Sequence, residues 1–295
     1  MKILWLGWED LYASKRVQDA AKNMAVELDV VGILDLSFIT DGEHVGIYRK
    51  NTNILQEYDV LCIRLFHPYI SEILTIAHLF KEAGKVVVDE SLTDEGYAVS
   101  KMHDYLVLAG SGIAVPRSYQ IYERGDVESY AAELGYPVVL KGLHGSQGQH
   151  VFRVSDEHQL RRRIRQYPDG ELLLQEFLPA DEDYRVIVVG YEALPTFVKR
   201  QPRPGDFRTN FTVEGEGVAE NLSRFSEFRT IAESAARILR REFAGIDIRM
   251  RNNVPVILEV NRRPDFRGFE DATHLDVAGA FVGYLTRKFQ RRKRH

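Results

Sequence analysis

Strands and helices alternate regularly through the first hundred residues of this 295-residue chain. The pattern of apolar runs and amphipathic stretches predicts, in order, strand, helix, strand, strand, helix and strand at Lys2–Trp8, Ser14–Leu28, Val30–Leu34, Asp59–Leu65, Tyr69–Ala83 and Lys85–Asp89. Such alternation is typical of a small parallel sheet with crossover helices, and it restricts the chain to the α/β class. Because Gly7-Trp8-Glu9-Asp10 follows the first strand in place of a G-x-G-x-x-G turn, the pattern argues against a dinucleotide site.

Beyond Pro116 the strands outnumber the helices. The predicted strands are Arg117–Tyr122, Tyr136–Lys141, His150–Val154, Leu172–Leu178, Tyr184–Val189, Leu194–Gln201 and a hairpin over Gly245–Asn261. The predicted helices are Asp126–Leu134, Asp156–Gln166, Phe225–Phe243 and a final one that starts near Thr273. A loop rich in glycine, proline and charge, Pro202–Gly217, precedes the third of these helices.

Composition excludes several classes of protein. The chain has 39 Lys plus Arg and 43 Asp plus Glu, a net charge of −4, which gives no reason to expect nucleic acid or an anionic membrane as partner. The start lacks a signal-peptide pattern and no apolar run approaches ~20 residues, so we expect a cytoplasmic protein without a membrane span. The single cysteine, Cys62, excludes a disulfide framework, and its apolar surroundings predict a buried, inert thiol.

The C-terminal end breaks the even distribution of charge. Six cations are concentrated there, at Arg287, Lys288, Arg291, Arg292, Lys293 and Arg294. A solvated helix end, where cations complement the helix dipole, is the simpler interpretation. A docking patch for an acidic partner is the alternative.

The hairpin carries the most informative polar residues. Glu259 and Asn261 are two residues apart and therefore share one face of their strand. A three-residue turn would place Asp247 opposite Glu259 on that face, whereas a two-residue turn would place the two carboxylates on opposite faces. Two carboxylates and an amide oxygen held together favour a hard cation, Mg²⁺ or Mn²⁺. A polar outer face of the hairpin is the alternative.

A second segment combines an apolar strand with a glycine-rich loop. The strand ends at Lys141, and Gly145, Ser146 and Gly148 follow it. Glycines allow backbone N–H groups to form an anion-binding nest, and the lysine adds a point charge for phosphate. Glycine-rich hairpin loops are common, so this pattern alone is weak.

Two further segments have weaker patterns of the same kind. The strand that ends at Glu176 and Phe177 leads to an exposed linker whose backbone suits an adenine edge, and Asp183 after it suits a ribose. Arg200 precedes the 202–217 loop and Arg208 lies within it, and guanidinium groups there can neutralise a transferring phosphoryl group. A strand leaving the core and a solvated charged loop are the respective alternatives.

These segments, in this order, resemble the ATP-grasp superfamily, and within it the RimK-type amino-acid ligases. The resemblance runs from about Lys101 to about Leu285, and its most specific pieces are Gly-Asp-Phe-Arg-Thr-Asn at 205–210 and Leu-Glu-Val-Asn at 258–261. It implies that ATP phosphorylates a carboxylate, that an amine then displaces the phosphate, and that ADP is released. It also implies two bound Mg²⁺ or Mn²⁺ ions and a possible homo-oligomer.

The resemblance further implies a division of the chain and a set of residue roles. An N-terminal Rossmann-like (pre-ATP-grasp) α/β domain would occupy 1–100, and ATP would lie between ATP-grasp subdomains at 101–172 and 173–295. The matched positions are the phosphate-contacting Lys101 and Lys141, the adenine-linker Glu176 and Phe177, the ribose-contacting Asp183, the phosphate-side Arg208, Thr209 and Asn210, and the cation ligands Asp247, Glu259 and Asn261.

Two departures from the family pattern stand out. His150 replaces the last glycine of the phosphate loop, and Arg262 and Arg263 follow Asn261 where relatives carry small residues. Arginines beside the acyl site imply an anionic substrate, such as glutamate or an acceptor that ends in glutamate. A surface salt bridge is the alternative for either arginine.

We therefore expect an ATP-dependent glutamate ligase that acts on a small acidic molecule or a peptide terminus. The alternatives are a lysine-biosynthesis-type ligase, a glutathione-synthetase-like peptide ligase and a non-catalytic ATP-binding module. ADP production that depends on one particular acceptor would separate them. A nucleic-acid-binding role is disfavoured because the chain lacks an aromatic–basic RNA motif.

Overall fold

Four β-sheets organise the part of the chain that the computed structural model describes, residues 1–40, 45–94, 100–142, 151–166, 172–179, 182–201 and 217–294. The strands of the central and the C-terminal sheet each come from one stretch of sequence, whereas a small antiparallel sheet lies in sequence between strands of the N-terminal parallel sheet. The predicted α/β class is confirmed.

The N-terminal elements form a parallel sheet and a small antiparallel one. They are β1 (Lys2–Leu6), α1 (Tyr12–Asn23), β2 (Glu27–Val31), β3 (Leu36–Thr40), β4 (Val45–Arg49), β5 (Thr52–Asn53), α2 (Ile54–Glu57), β6 (Val60–Ile63), α3 (Ile70–Glu82) and β7 (Val86–Val88). The parallel order is β2-β1-β6-β7, as the alternation predicts. The antiparallel sheet β3-β4-β5 falls where the sequence analysis places no strand.

The central elements form an antiparallel sheet with helices packed on it. They are α4 (Lys101–Gly110), β8 (Ser118–Ile121), α5 (Val127–Leu134), β9 (Val138–Gly142), β10 (Val151–Val154), α6 (Glu157–Ile164) and β11 (Leu172–Glu176). The strand order is β10-β9-β11-β8. Helix α4 falls where the sequence analysis places no helix, and the other elements match the predicted ones to within a few residues over the described part.

The C-terminal elements form a five-stranded antiparallel sheet. They are β12 (Asp183–Val189), β13 (Glu192–Arg200), β14 (Val218–Asn221), α7 (Ser226–Ile238), β15 (Phe243–Arg251), β16 (Val254–Asn261), α8 (Arg267–Thr273) and α9 (Val277–Arg292). The order is β14-β13-β12-β15-β16, so β15 has β12 on one side and the hairpin partner β16 on the other. Polar side chains of three consecutive strands can therefore meet on one face.

Two predicted helix ends are wrong for one physical reason. Helix α1 ends before Ala25 and α7 ends before Arg240, and these two residues adopt left-handed φ values of 55° and 50°. After α1 and α7 a backbone bond closes the last turn, from Val26 to Ala21 at 2.9 Å and from Arg241 to Ala236 at 2.8 Å, as in a Schellman motif. The predicted helices Ser14–Leu28 and Phe225–Phe243 therefore overrun into β2 and β15. The helix predicted from about Thr273 is α9, which starts at Val277.

One hydrophobic cluster joins the N-terminal sheet to the C-terminal elements. Trp5 and Cys62 belong to the same buried cluster as Phe243 and Phe281. Cys62 is fully buried, as predicted, and burial raises the pKa of its thiol to about 12. The central sheet has a separate cluster, which draws on residues 121–174.

The basic C-terminal end is partly anchored. Lys288 lies 2.5 Å from the buried Glu242 and 2.7 Å from Glu90, so it is not the solvated cation that the simpler interpretation assumes. Arg292 is exposed but donates to the Lys85 carbonyl at 2.7 Å. Docking of an acidic partner stays a prediction. Among the described helices, none is both long and apolar enough to cross a membrane.

Candidate functional site

A β-bulge in the β15–β16 hairpin decides where its carboxylates lie. The turn has only two residues, Asn252 and Asn253, with φ of 51° and 63°, as a type I′ turn requires. A regular ladder from this turn would pair Asp247 with Leu258, but the register shifts by one residue and Asp247 pairs with Glu259. The turn is therefore the two-residue alternative, yet Asp247 still lies opposite Glu259, because the bulge supplies the extra residue within the strand.

Asp247 lies at the centre of a buried polar cluster. Arg185 of β12 donates to its two oxygens at 2.5 and 2.8 Å, and Arg200 of β13 donates at 2.7 Å. Asn261 donates its amide to Oδ2 of Asp247 at 3.1 Å. Gly245 makes room for this arrangement, because a Cβ there would lie 3.0 Å from Nη1 of Arg185. The structure thus brings together predicted residues of two strands, Asp247 and Asn261, with the predicted Arg200.

The two arginines respond differently to burial. Burial disfavours the charged form of both side chains. For Arg185, the charge and hydrogen bonds of Asp247 outweigh burial and raise the pKa. For Arg200, burial and the adjacent Arg185 prevail over Asp247, and they lower the pKa to about 10. Both side chains therefore remain cationic at neutral pH.

Glu259 faces a lysine from the start of α4. Lys101 binds the Glu259 carboxylate directly. Burial alone would raise the pKa of Glu259, but Lys101, with Lys141 and Arg185 nearby, outweighs it and lowers the pKa to about 2. Glu259 raises the pKa of Lys101 in return, against the effect of burial. Both predicted phosphate lysines therefore lie within electrostatic range of a predicted cation ligand.

The predicted adenine linker lies at the other end of β15. Glu176 accepts a hydrogen bond from Arg251 at 2.7 Å, and with Phe177 it lines a cavity of about 390 Å³. Asp183 is 3% exposed, and Arg249 donates to its two oxygens at 2.5 and 2.7 Å. A ribose bound by Asp183 would therefore compete with Arg249, and this role stays a prediction.

The two predicted substrate arginines lie beside the N-terminal sheet. Arg262 is 8% exposed, with Nη1 3.6 Å from Oδ2 of the buried Asp89. Arg263 is exposed and donates to the Arg64 carbonyl at 3.3 Å. Arg64 itself is 2% exposed, and its guanidinium lies 5.1 Å from the ring centre of Phe243. Arg262 thus lies in a buried ion pair with Asp89 and not in the surface salt bridge considered as its alternative.

Six predicted site residues lie outside the described residues: Gly145, Ser146, Gly148, Arg208, Thr209 and Asn210.

The sequence analysis assigned no role to three arginines of this region, Arg185, Arg249 and Arg251. A pattern was available, because each lies two or four residues from a predicted site aspartate in its own strand, Arg185 after Asp183 and the other two after Asp247. Residues with such even spacing share one face of a strand. Which of them bind which carboxylate depends on the sheet order, and the spacing does not supply it.

Comparison with known proteins places this geometry in a family. Residues 98–285 match the RimK-like ATP-grasp domain. The chain is 28% identical over 286 residues to a probable alpha-L-glutamate ligase of Vibrio vulnificus, covering 94% of this chain and 92% of that relative. It is also 28% identical over 284 residues to a probable alpha-L-glutamate ligase of Methanococcoides burtonii, covering 93% and 91%.

Solved structures share the fold across the whole chain. The ATP-grasp ligase PsnB in complex with minimal precursor, Mg and ADP superposes with a TM-score of 0.72 at 18% identity, covering 98% of each chain. The D-alanine–D-alanine ligase of Bacillus anthracis superposes with a TM-score of 0.68 at 16% identity, covering 100% of this chain and 99% of the other. The predicted ATP-grasp fold is confirmed. The chain belongs to the RimK-like ATP-grasp family and is an ATP-dependent ligase that forms C–N bonds.

Proposed function

We propose that this ligase couples an amino acid, glutamate, to an acidic small molecule or peptide terminus through an acyl-phosphate. One observation carries the proposal: Asp247 and Glu259 face each other across the hairpin, with Asn261 beside them, in a strongly cationic surrounding. Carboxylates in this arrangement suit divalent cations, and the surplus of cationic side chains suits a nucleoside triphosphate.

The donor set of this face fits Mg²⁺ or Mn²⁺. Asp247, Glu259 and Asn261 offer oxygen atoms alone, which hard cations prefer. Each carboxylate is paired with a cationic side chain, Asp247 with Arg185 and Glu259 with Lys101, so this face requires positive charge. These three residues would hold the cations, two by family resemblance, and the bound cations would supply positive charge to the phosphates of ATP.

The chain's own residues would bind, orient and shield the reactants. Lys101 and Lys141 would hold the nucleotide phosphates, and Arg200 with Arg208 would neutralise charge on the transferring phosphoryl group. The proposal requires no protein nucleophile, because the substrate carboxylate attacks the phosphorus. Cys62 is an unsuitable nucleophile in any case, since it is fully buried and its pKa is about 12.

The identity of the substrates is supported by chemistry and by relatives. Arg263, exposed beside the hairpin end, offers a guanidinium to an anionic substrate. The matched relatives are named probable alpha-L-glutamate ligases, and PsnB was solved with precursor peptides, which makes amino acids and peptide ends the first substrates to test.

The primary test is ADP release with ATP and Mg²⁺, screening amino acids against acidic small molecules and glutamate-ended peptides. We expect stimulation that requires glutamate plus one acceptor. Glu259→Gln should abolish it, whereas Glu57→Gln, the matched change in another glutamate–lysine pair at Lys2, should leave it intact. A fully active Glu259→Gln protein would refute the cation site. ATP binding without stimulation by any pair would favour a non-catalytic binding module.

A second variant tests the substrate arginine. Arg263→Ser should raise the KM for the acidic substrate and leave the KM for ATP unchanged, because only the former meets this guanidinium. An equal increase in both constants would show that Arg263 does not contact the acidic substrate.

A further inference from the structure

The outer edge of β16 is held by the segment that opens the central unit. Among the described strands, β16 is the last in its sheet, and none of them pairs with its outward backbone groups. The Tyr105 hydroxyl of α4 donates to the Leu258 carbonyl at 2.7 Å, and the Ile257 amide donates to the Ala114 carbonyl at 2.9 Å. Leu258 is the residue that the bulge adds to β16, so the bulge is bonded from outside at this residue.

A second contact holds the backbone on the other side of Glu259. Arg241 donates to the Val260 carbonyl at 2.5 Å, and its two terminal nitrogens donate to Asp104 of α4 at 2.6 and 2.8 Å. Lys101, also of α4, binds the Glu259 carboxylate itself. Side chains of one helix therefore hold the backbone before Glu259, its carboxylate and, through Arg241, the backbone after it.

We infer that Tyr105, together with the Asp104–Arg241 pair, is a positioning residue that maintains the bulge and thereby sets the separation of the two carboxylates. Without the bulge, the two-residue turn pairs Asp247 with Leu258 and turns Glu259 to the other face of the strand. Tyr105 is 5% exposed and acts through the backbone of Leu258. The inference rests on the proposed function, since it treats Asp247 and Glu259 as cation ligands.

Tyr105→Phe tests this with the loss of one hydroxyl. Tyr58→Phe is the matched control, because Tyr58 is 3% exposed and its hydroxyl donates one bond of 2.8 Å to Asp29 in the N-terminal unit. Mn²⁺ binding in the presence of ADP is measured by electron paramagnetic resonance of the free ion. We expect the dissociation constant to rise by about 3- to 10-fold in Tyr105→Phe alone, the scale of one hydrogen bond. Saturating Mn²⁺ should restore its turnover, which a general loss of packing would not allow.

Amide hydrogen exchange without metal gives an independent reading. The amides of residues 257–260 should exchange faster in Tyr105→Phe than in the wild type and Tyr58→Phe. Unchanged Mn²⁺ affinity and unchanged exchange in Tyr105→Phe would overturn the inference and leave the proposed function standing. If the wild-type protein itself shows no saturable Mn²⁺ binding, the proposed cation site fails, and the inference fails with it.

Discussion

Two adjacent strands of the C-terminal sheet form reciprocal ion pairs, in which each strand supplies the aspartate of one pair and the arginine of the other. Asp183 of β12 is held by Arg249 of β15, while Asp247 of β15 is held by Arg185 of β12. Acid and base are two residues apart in each strand, so the four side chains share one face. Arg249 binds Asp183 through two nitrogens, and Asp247 binds Arg200 in addition to Arg185.

The Asp183 group also binds the backbone of the linker, whereas the Asp247 group contains more cations than carboxylates. Arg249 also donates to the Leu178 carbonyl at 2.7 Å, so the Asp183 pair ties the start of the linker to β15. Among the described residues, the ion pairs of the other group join Asp247 and Glu259 to Arg185, Arg200 and Lys101. These pairs contain one more cation than carboxylate. A surplus of that kind attracts an anionic ligand, whereas a balanced and buried pair does not.

The largest loss of turnover is expected from a substitution in the cation-rich cluster around Asp247. Asp247→Asn should reduce turnover by at least about 100-fold, because it removes a proposed cation ligand and leaves two buried guanidinium groups without their carboxylate. Initial rates of ADP release at equal concentrations of folded protein measure this. Turnover within a few-fold of the wild type would place Asp247 outside the reaction.

A substitution in the Asp183–Arg249 pair should lower the stability of the protein more than its turnover. Asp183→Asn leaves Arg249 buried and uncompensated, so we expect a loss of about 3 kcal/mol in the free energy of unfolding. Turnover per folded molecule should fall far less than in Asp247→Asn. Urea denaturation gives the first quantity and ADP release the second. A loss of turnover as large as that of Asp247→Asn would remove the distinction drawn between the two groups.

A smaller effect is expected from crowding the Asp247 cluster. In Gly245→Ala the new methyl would lie 3.0 Å from Nη1 of Arg185 and 2.9 Å from Cβ of Pro264. We expect a loss of about 2 kcal/mol in stability, as for other overpacked sites. Gly110→Ala is the control, because a Cβ there meets nothing within 4 Å. Equal thermal midpoints for the two variants would contradict the close approach.

The smallest effect should come from the exposed end of β15. Arg251 binds Glu176, but its side chain is 37% exposed and solvent screens the pair. Arg251→Met should therefore cost about 0.5 kcal/mol in unfolding free energy, measured in urea. A cost comparable with that of Asp183→Asn would show that exposure does not separate these two linker contacts.

The elements of the fold were predictable where the sequence carries a local pattern, and their ends only where a special residue marks them. Helix α3 was predicted to end at Ala83, next to Gly84, whose φ is 71°. Helices α1 and α7 end in a similar turn, but Ala25 and Arg240 occupy the left-handed position, and neither residue type indicates it. Both helices are therefore predicted to extend past these residues, to the point where the helical spacing of apolar residues ends.

For the site as well, local sequence patterns identify the residues but not how they pair. Residue types and spacing identified Asp247, Glu259 and Asn261 as a set, because side chains two apart share a face. Their actual pairing depends on a bulge that no local residue pattern marks. The bulge is bonded to Tyr105 and, next to it, to Ala114, both more than 140 residues earlier in the chain. Such long-range contacts depend on the folded sheet, and sequence spacing alone does not contain them.

The rate at which the single buried thiol, Cys62, is alkylated reports how fast the buried cluster around it opens. Burial raises the pKa of the Cys62 thiol to about 12, so the poorly reactive thiol form predominates near neutral pH, and Cys62 shares a buried cluster with Phe281. An alkylating reagent can therefore modify native protein only as fast as that cluster opens. Any cysteine placed on the surface would react first, so probes for distance measurements can be attached at chosen positions without removing the natural residue.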